Sequence, residues 1–276
     1  MEIKRGFEGR QAKQPGQLHL SDSFQFECRK GIKCFNQCCA DVNILLTPYD
    51  VLRMKNSLGI TSGEFLRKYT NVIRSEKAVF PIVALKMKDD EQKQCYFVSE
   101  EGCEIYEDRP WACRMFPLDK RENEGDEPVF TLIKKQGCLG FEQKKVWKIE
   151  DWIVNQGITI YEKYESLYQD ITEHERTKDL EITNPDVFLM VQMALYDLDR
   201  FRKFVFESNF LNYFEVEKGR IETIKRDDAE LLVFGIEWVK FGLLGQQTFQ
   251  VKKEVADRKK KELEKKGLLK QNLPDS

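Results

Sequence analysis

Eight cysteines carry the chemistry of this sequence. Cys28, Cys34, Cys38 and Cys39 lie within twelve residues, and Cys95, Cys103, Cys113 and Cys138 follow at wider intervals. The second half of the chain has none. Random scatter would confine all eight this way in roughly one chain in a thousand. In a secreted protein an even count would suggest disulfides, but a chain of 276 residues has material for its own core and needs no such staples. Clustered thiolates in a reducing compartment point to metal ligation. Zinc and iron–sulfur clusters both suit, because both are soft enough to prefer sulfur. The spacing reads Cys-x5-Cys-x3-Cys-Cys and then Cys-x7-Cys-x9-Cys-x24-Cys, with no Cys-x-x-Cys pair of the kind a zinc knuckle presents. That leans to an iron–sulfur cluster over zinc and leaves both open. Side chains of neighbours such as Cys38 and Cys39 diverge along the backbone. They can serve two metal sites, serve two irons of one cluster, or include one non-ligand. His19 lies nine residues before Cys28 and could reach a metal, but it reads, like His174, as a surface residue.

The second group of cysteines sits in a particular setting. Gly102 lets the backbone come close to a ligand, and Pro110 and Pro117 restrict the chain on either side of Cys113. Arg109 and Arg114 could offset the charge of a multi-thiolate site, or could pair on the surface with Glu104, Glu107 or Asp108.

These residues resemble a known family. The early cluster ending in Cys38-Cys39, then Gly102-Cys103-x-Ile105-Tyr106 and Arg109-Pro110-x-x-Cys113-Arg114-x-Phe116-Pro117, is similar to the YkgJ-type cysteine-cluster family. Its members are described as chelating zinc or iron, and the flagellin lysine N-methylases carry a similar domain. Leu46-Thr47-Pro48-Tyr49-Asp50-Val51-Leu52-Arg53 and Gly63-Glu64-Phe65-Leu66-x-x-Tyr69 look like the family's two short helices. The resemblance covers about residues 24 to 140. The family's cluster is usually written Cys-x-x-Cys-x-x-Cys-Cys; here both spacers are longer.

Positioning the cysteines requires a fold of the α+β class: a cysteine-rich half with short helices and a small antiparallel sheet, followed by an α-helical half. Residues 1–22 read as a flexible N-terminal arm, 23–145 as the cysteine-cluster metal-binding domain, and 146–276 as the α-helical region. Thr47 or Pro48 should start a helix to about Ser57, and Thr61 or Ser62 another ending near Ile73. Strands are expected over Val79–Met87, Gln94–Val98 and Val129–Lys134, with an acidic turn over Glu122–Glu127. Helical spacing then runs through Asp151–Thr177, from Asn184-Pro185 to about Glu207, from Asp227 past Phe241, and from Thr248 onward.

Composition excludes several classes. Forty-five Lys+Arg against 47 Asp+Glu leave a net charge of −2, so no whole-chain field attracts nucleic acid or an acidic membrane. No apolar run is long enough for a membrane span, and residues 1–17 lack a signal-peptide stretch, so a cytoplasmic setting is expected. Lys252–Lys266 holds eight basic and four acidic residues without interleaved aromatics, which reads as a solvated helix; nucleic acid is not expected as a partner. Phosphate-binding glycine loops and a His-Glu-x-x-His motif are missing, so any catalysis would run through the metal. Three functions fit. The chain could be a metal-binding protein whose eight cysteines hold an iron–sulfur cluster or zinc, with a protein partner or substrate on the helical half. It could be a cluster-dependent protein-modifying enzyme resembling the flagellin lysine N-methylases, or a structural zinc interaction module.

Overall fold

The structure, a computed structural model, describes residues 16–74, 79–121, 127–178, 180 and 184–265. The cysteine-rich half contains β1 (Ser23–Gln25), α1 (Pro48–Leu58), α2 (Ser62–Tyr69), β2 (Thr70–Ile73) and β3 (Ile82–Leu85). It continues through β4 (Val98–Ser99), β5 (Gly102–Cys103), α3 (Trp111–Met115), β6 (Leu118–Arg121), β7 (Val129–Leu132) and β8 (Val146–Lys148). Helices dominate thereafter: α4 (Ile149–Asn155), α5 (Ile158–Thr172), α6 (Glu175–Lys178), α7 (Pro185–Leu195) and α8 (Leu198–Glu207). The last elements are α9 (Phe210–Tyr213), β9 (Phe214–Glu215), α10 (Lys218–Arg226), α11 (Asp228–Leu244), β10 (Gln250–Val251) and α12 (Lys253–Lys265). The fold is mixed α+β, with mostly helix and small antiparallel sheets of two strands each. Among the described residues no helix is long and apolar enough to cross a membrane.

The sheet expected from the sequence is divided. β3 pairs with β2, β7 with β6, β4 with β5, and β1 with β8, all antiparallel. The third expected strand therefore pairs with the chain leaving Cys113, and not with Val79–Met87. α2 stops at Tyr69 because Thr70, Val72 and Ile73 are β-branched and find strand partners in Leu85, Val83 and Ile82. The acidic turn Glu122–Glu127 falls largely outside the described residues.

Two longer helices are also broken. Gly157, at φ 60°, separates α4 from α5, and Tyr196-Asp197 separates α7 from α8. Thr47 closes a capping box with Asp50, Asn184 caps α7 ahead of Pro185, and Asp227 accepts from two N–H groups at the start of α11. α12 starts at Lys253, after β10.

The packing joins the two halves. Val51, Leu52, Met54, Phe65 and Leu85 share a large apolar core with Tyr161, Leu195, Phe201, Leu231 and Phe234. A smaller core gathers Phe24, Phe26, Met115, Leu118, Phe130, Ile149, Trp152 and Ile158. Leu18 exchanges two backbone hydrogen bonds with Phe130 and packs against this second core, so the chain is tied down at that residue, inside the stretch expected as an arm.

Candidate metal centre

Two neighbourhoods of four cysteines emerge from this framework. In the inner one, the Cys39 carbonyl accepts the Cys95 N–H at 2.8 Å, and Ala40 bridges Gln94, so the two cysteine-bearing segments run antiparallel. Cys103 sits on β5 opposite Val98, and Cys113 lies on α3. The Cys39 thiol feels Cys95 and Cys113, and Cys113 feels Cys95 and Cys103. Cys95, Cys103 and Cys113 all pack against the large core.

The outer neighbourhood gathers Cys28, Cys34, Cys38 and Cys138. All four line one small cavity of about 40 Å³, together with Phe116 and Lys135. The Leu139 N–H donates to Cys34 Sγ at 3.2 Å. Cys138 packs against the smaller core, and Cys28 is exposed. Gly140 leaves no room for a side chain here: a Cβ would stand 2.6 Å from the Phe26 ring and 3.0 Å from the Glu27 carbonyl, just past β1 on the way to Cys28.

Cys38 and Cys39 belong to different neighbourhoods, although one peptide bond joins them. The Cys39 thiol donates to Cys38, which draws the Cys38 thiol down and pushes the Cys39 thiol up; Lys135 adds to the lowering at Cys38. Partial burial of its sulfur, with Cys38, Cys34 and Cys138 facing it, pushes Cys28 up to about 11 although the residue keeps an exposed side; burial pushes Cys113 up to about 12 and raises Cys95, Cys103 and Cys138. Bare thiolates are therefore disfavoured at most positions, and a bound metal is what would stabilise them. Among the described residues no three His, Cys, Asp or Glu side chains form a closed metal cage as they stand. The donor chemistry nonetheless fits zinc or an iron–sulfur cluster: soft thiols, four and four, with charge of the opposite sign nearby.

That charge comes from Arg109 and Arg114, both only 6% exposed. Arg114 Nε donates to the Arg109 carbonyl at 3.0 Å and Nη1 to the Gln156 carbonyl at 2.6 Å, while Nη2 reaches the Glu107 carbonyl. Arg109 donates to the Tyr106 carbonyl and to Gln156 Oε1. Asp108 pairs with Arg53 instead, at 2.7 Å. The two buried guanidinium groups thus bind neutral oxygens, and Arg109 faces Cys103 and Cys113. Four thiolates on Zn²⁺, or on an oxidised [4Fe–4S] core, carry a net charge of about −2. Buried Arg109, beside two of these thiols, with buried Arg114 next to Cys113 in the chain, would offset that charge when a metal is bound.

Asp50 holds the helix that carries Cys113. Its carboxylate accepts the Thr47 N–H at 2.9 Å and, from across the fold, the Trp111 N–H at 2.8 Å. Burial pushes Asp50 from 3.8 up to about 6 in spite of these bonds. The folded carboxyl therefore holds its proton more tightly than the unfolded one. Its contribution to stability is complete below about pH 4 and is lost as pH rises through about 6, a change on the order of 3 kcal/mol. Urea unfolding of wild type and Asp50→Asn at pH 4.5 and 7.5 should show their stability difference shrinking at the higher pH. A difference independent of pH would contradict this account.

The sequence pointed to all eight cysteines and to both arginines, but not to Gln156 or to the second hydrogen bond of Asp50. The capping box flagged Asp50 locally; its partner 61 residues away left no local signal. His19 contributes its backbone N–H to Asp22, and His174 Nδ1 accepts the Arg176 N–H, so both act in local turns.

Comparison with known proteins agrees with the cysteine pattern. No curated protein and no solved structure matched the chain. Residues 27–138 match the family CxxCxxCC, described as "Putative zinc- or iron-chelating domain". The match begins one residue before Cys28 and ends on Cys138, so it spans all eight cysteines. The cysteine-rich segment, residues 27–138, therefore carries the pattern of the YkgJ-type cysteine-cluster family, which supports metal binding in general.

Proposed function

We propose that this domain holds two thiolate-bound metal centres, zinc or iron–sulfur, in an inner set of Cys39, Cys95, Cys103 and Cys113 and an outer set of Cys28, Cys34, Cys38 and Cys138. The observation that carries the reading is the division of eight cysteines into two fours at the Cys38–Cys39 peptide. The charge of Arg109 and Arg114 supports it at the inner set. These residues would supply sulfur ligands and a dry, positively charged wall; the metal would supply structural cross-linking or, as a cluster, electron transfer. A reducing, cytoplasmic setting keeps such thiolates available.

The test is metal and acid-labile sulfide content of protein purified without oxygen, with an absorption spectrum. Iron with sulfide and a band near ~400 nm identifies clusters, and about two zinc ions per chain identifies zinc. Cys113→Ser should remove about half of the bound metal or more, since one of four inner ligands is lost. Freely titrating thiols without metal would overturn the proposal.

A further inference from the structure

The two cysteine sets are built into the fold in different ways. The inner set is anchored on three sides. Cys103 lies on the β4–β5 hairpin, Cys113 on a helix held by Asp50 and Arg114, and Cys95 is paired through Met87 and Cys39. The outer set lies on turns. Cys34 precedes Asn36, whose φ of 68° is a left-handed turn conformation, and Cys138 follows Gly137 at φ 80°. Cys28 is open to solvent.

The outer turn also rests on inner elements. Asn36 Nδ2 donates to the Ser99 carbonyl at 2.7 Å, and the Phe35 ring lies over Gly102, where a Cβ would come within 3.3 Å. Beyond Cys39 the chain stays with the inner strand: Asp41 N–H donates to the Lys93 carbonyl at 3.0 Å. Outer Cys38 is therefore placed by a loop whose far end and underside are inner-set structure. The reverse dependence is narrower: Cys39 N–H donates to the Asn36 carbonyl at 3.0 Å and Lys135 Nζ to the Ala40 carbonyl at 3.2 Å, whereas Cys95, Cys103 and Cys113 pack against the large core and the Cys113 helix is held by α1.

From this asymmetry we infer that the two centres form a hierarchy: the inner set is the permanent centre, and the outer set is an exchange site that fills second and gives up its metal first. This rests on the two-set reading above. Exchange needs a chelating or thiol-bearing acceptor that takes the ion through the side opened by Cys28. As each metal–thiolate bond breaks, the cysteine sulfur keeps its electron pair and takes a proton from water; in a cluster the bridging sulfides would likewise leave protonated, as hydrogen sulfide. No oxidation is involved. Segments with few buried contacts open more often than core-packed ones, which sets the order.

The full chain, purified without oxygen and its metal counted, would be challenged with excess EDTA. Samples taken over time would be alkylated with iodoacetamide and mapped by mass spectrometry. Cys28, Cys34, Cys38 and Cys138 should become reactive at least about tenfold faster than Cys39, Cys95, Cys103 and Cys113, while about half of the metal departs. Cys28→Ser should lose only the fast half. Cys103→Ser should lose both, because the outer turn loses the hairpin beneath it. Eight cysteines reacting together, inner cysteines reacting first, or a Cys103→Ser protein that keeps a slow, intact outer set would each overturn the hierarchy. The two-set reading would survive those results provided two metal equivalents were counted at the start. A chain that retains no metal, even after Zn²⁺ is supplied, overturns that reading and this inference with it. The wild-type alkylation series decides the order even if a variant does not fold.

Discussion

Arg114→Met should unfold at a markedly lower urea concentration than wild type and lose the inner metal. The guanidinium is one buried plug for three carbonyls, those of Glu107, Arg109 and Gln156, and it lies 4.6 Å over the Tyr161 ring. Methionine fills much of the volume but donates to none of them. The buried carbonyls of Arg109 and Gln156, left without a partner, cost about 1–3 kcal/mol each, so a total of about 4 kcal/mol is expected. The removed charge acts as well, because four clustered thiolates would face the interior with one cation fewer. Lysine keeps the charge but lacks the planar fork, so Arg114→Lys should recover metal more fully than stability. Urea midpoints and metal content together separate the two roles. An Arg114→Met protein as stable as wild type would show that the carbonyls re-pair locally and that this account is wrong.

The second large effect is expected far from the cysteines. Gly235 lies where α11 crosses α7, and a Cβ there would stand 2.1 Å from the Ala194 carbonyl oxygen and 3.3 Å from the Phe201 ring. Gly235→Ala gains about 1 kcal/mol of intrinsic helix preference. Against this stands a collision of backbone with side chain inside a core that also contains Ala194, Leu195, Phe201 and Phe234. Neither helix can shift without opening that packing, and overpacking of this kind costs about 1–3 kcal/mol, more when the obstacle is backbone. The net expectation is a loss of about 2 kcal/mol or more, seen as a lower urea midpoint. A higher midpoint would mean that propensity outweighs the contact and that the helices are less tightly apposed than described.

The legible parts of the fold were those written locally. Thr47, Asn184 and Asp227 each cap a helix where the sequence places one, because a cap needs only the next two or three N–H groups. The breaks at Gly157 and Tyr196-Asp197 were not legible, since apolar spacing continues across both and packing fixes the change of direction. The same holds for Thr70–Ile73, which continues a helical pattern until Ile82–Leu85 arrives to pair with it. At the site, cysteine spacing identified the donors and left three readings of Cys38 and Cys39. Their assignment to different neighbourhoods depends on Cys95 and Cys138, which return from about fifty and a hundred residues downstream.

Those returns bear on how the protein is made. The Leu139 N–H that meets Cys34 closes 105 residues of chain, and Trp147 Nε1 donates to the Phe26 carbonyl across 121. Contacts this distant in sequence form late and slow the search for the native topology. At a synthesis rate of about 5–20 residues per second, the first four thiols of a nascent chain wait about 5–20 s for Cys138 to emerge. During that interval they are unshielded, and the ligands present can bind only an incomplete site. The complete outer set of four thiols is therefore out of reach until Cys138 has emerged and β8 has closed on β1.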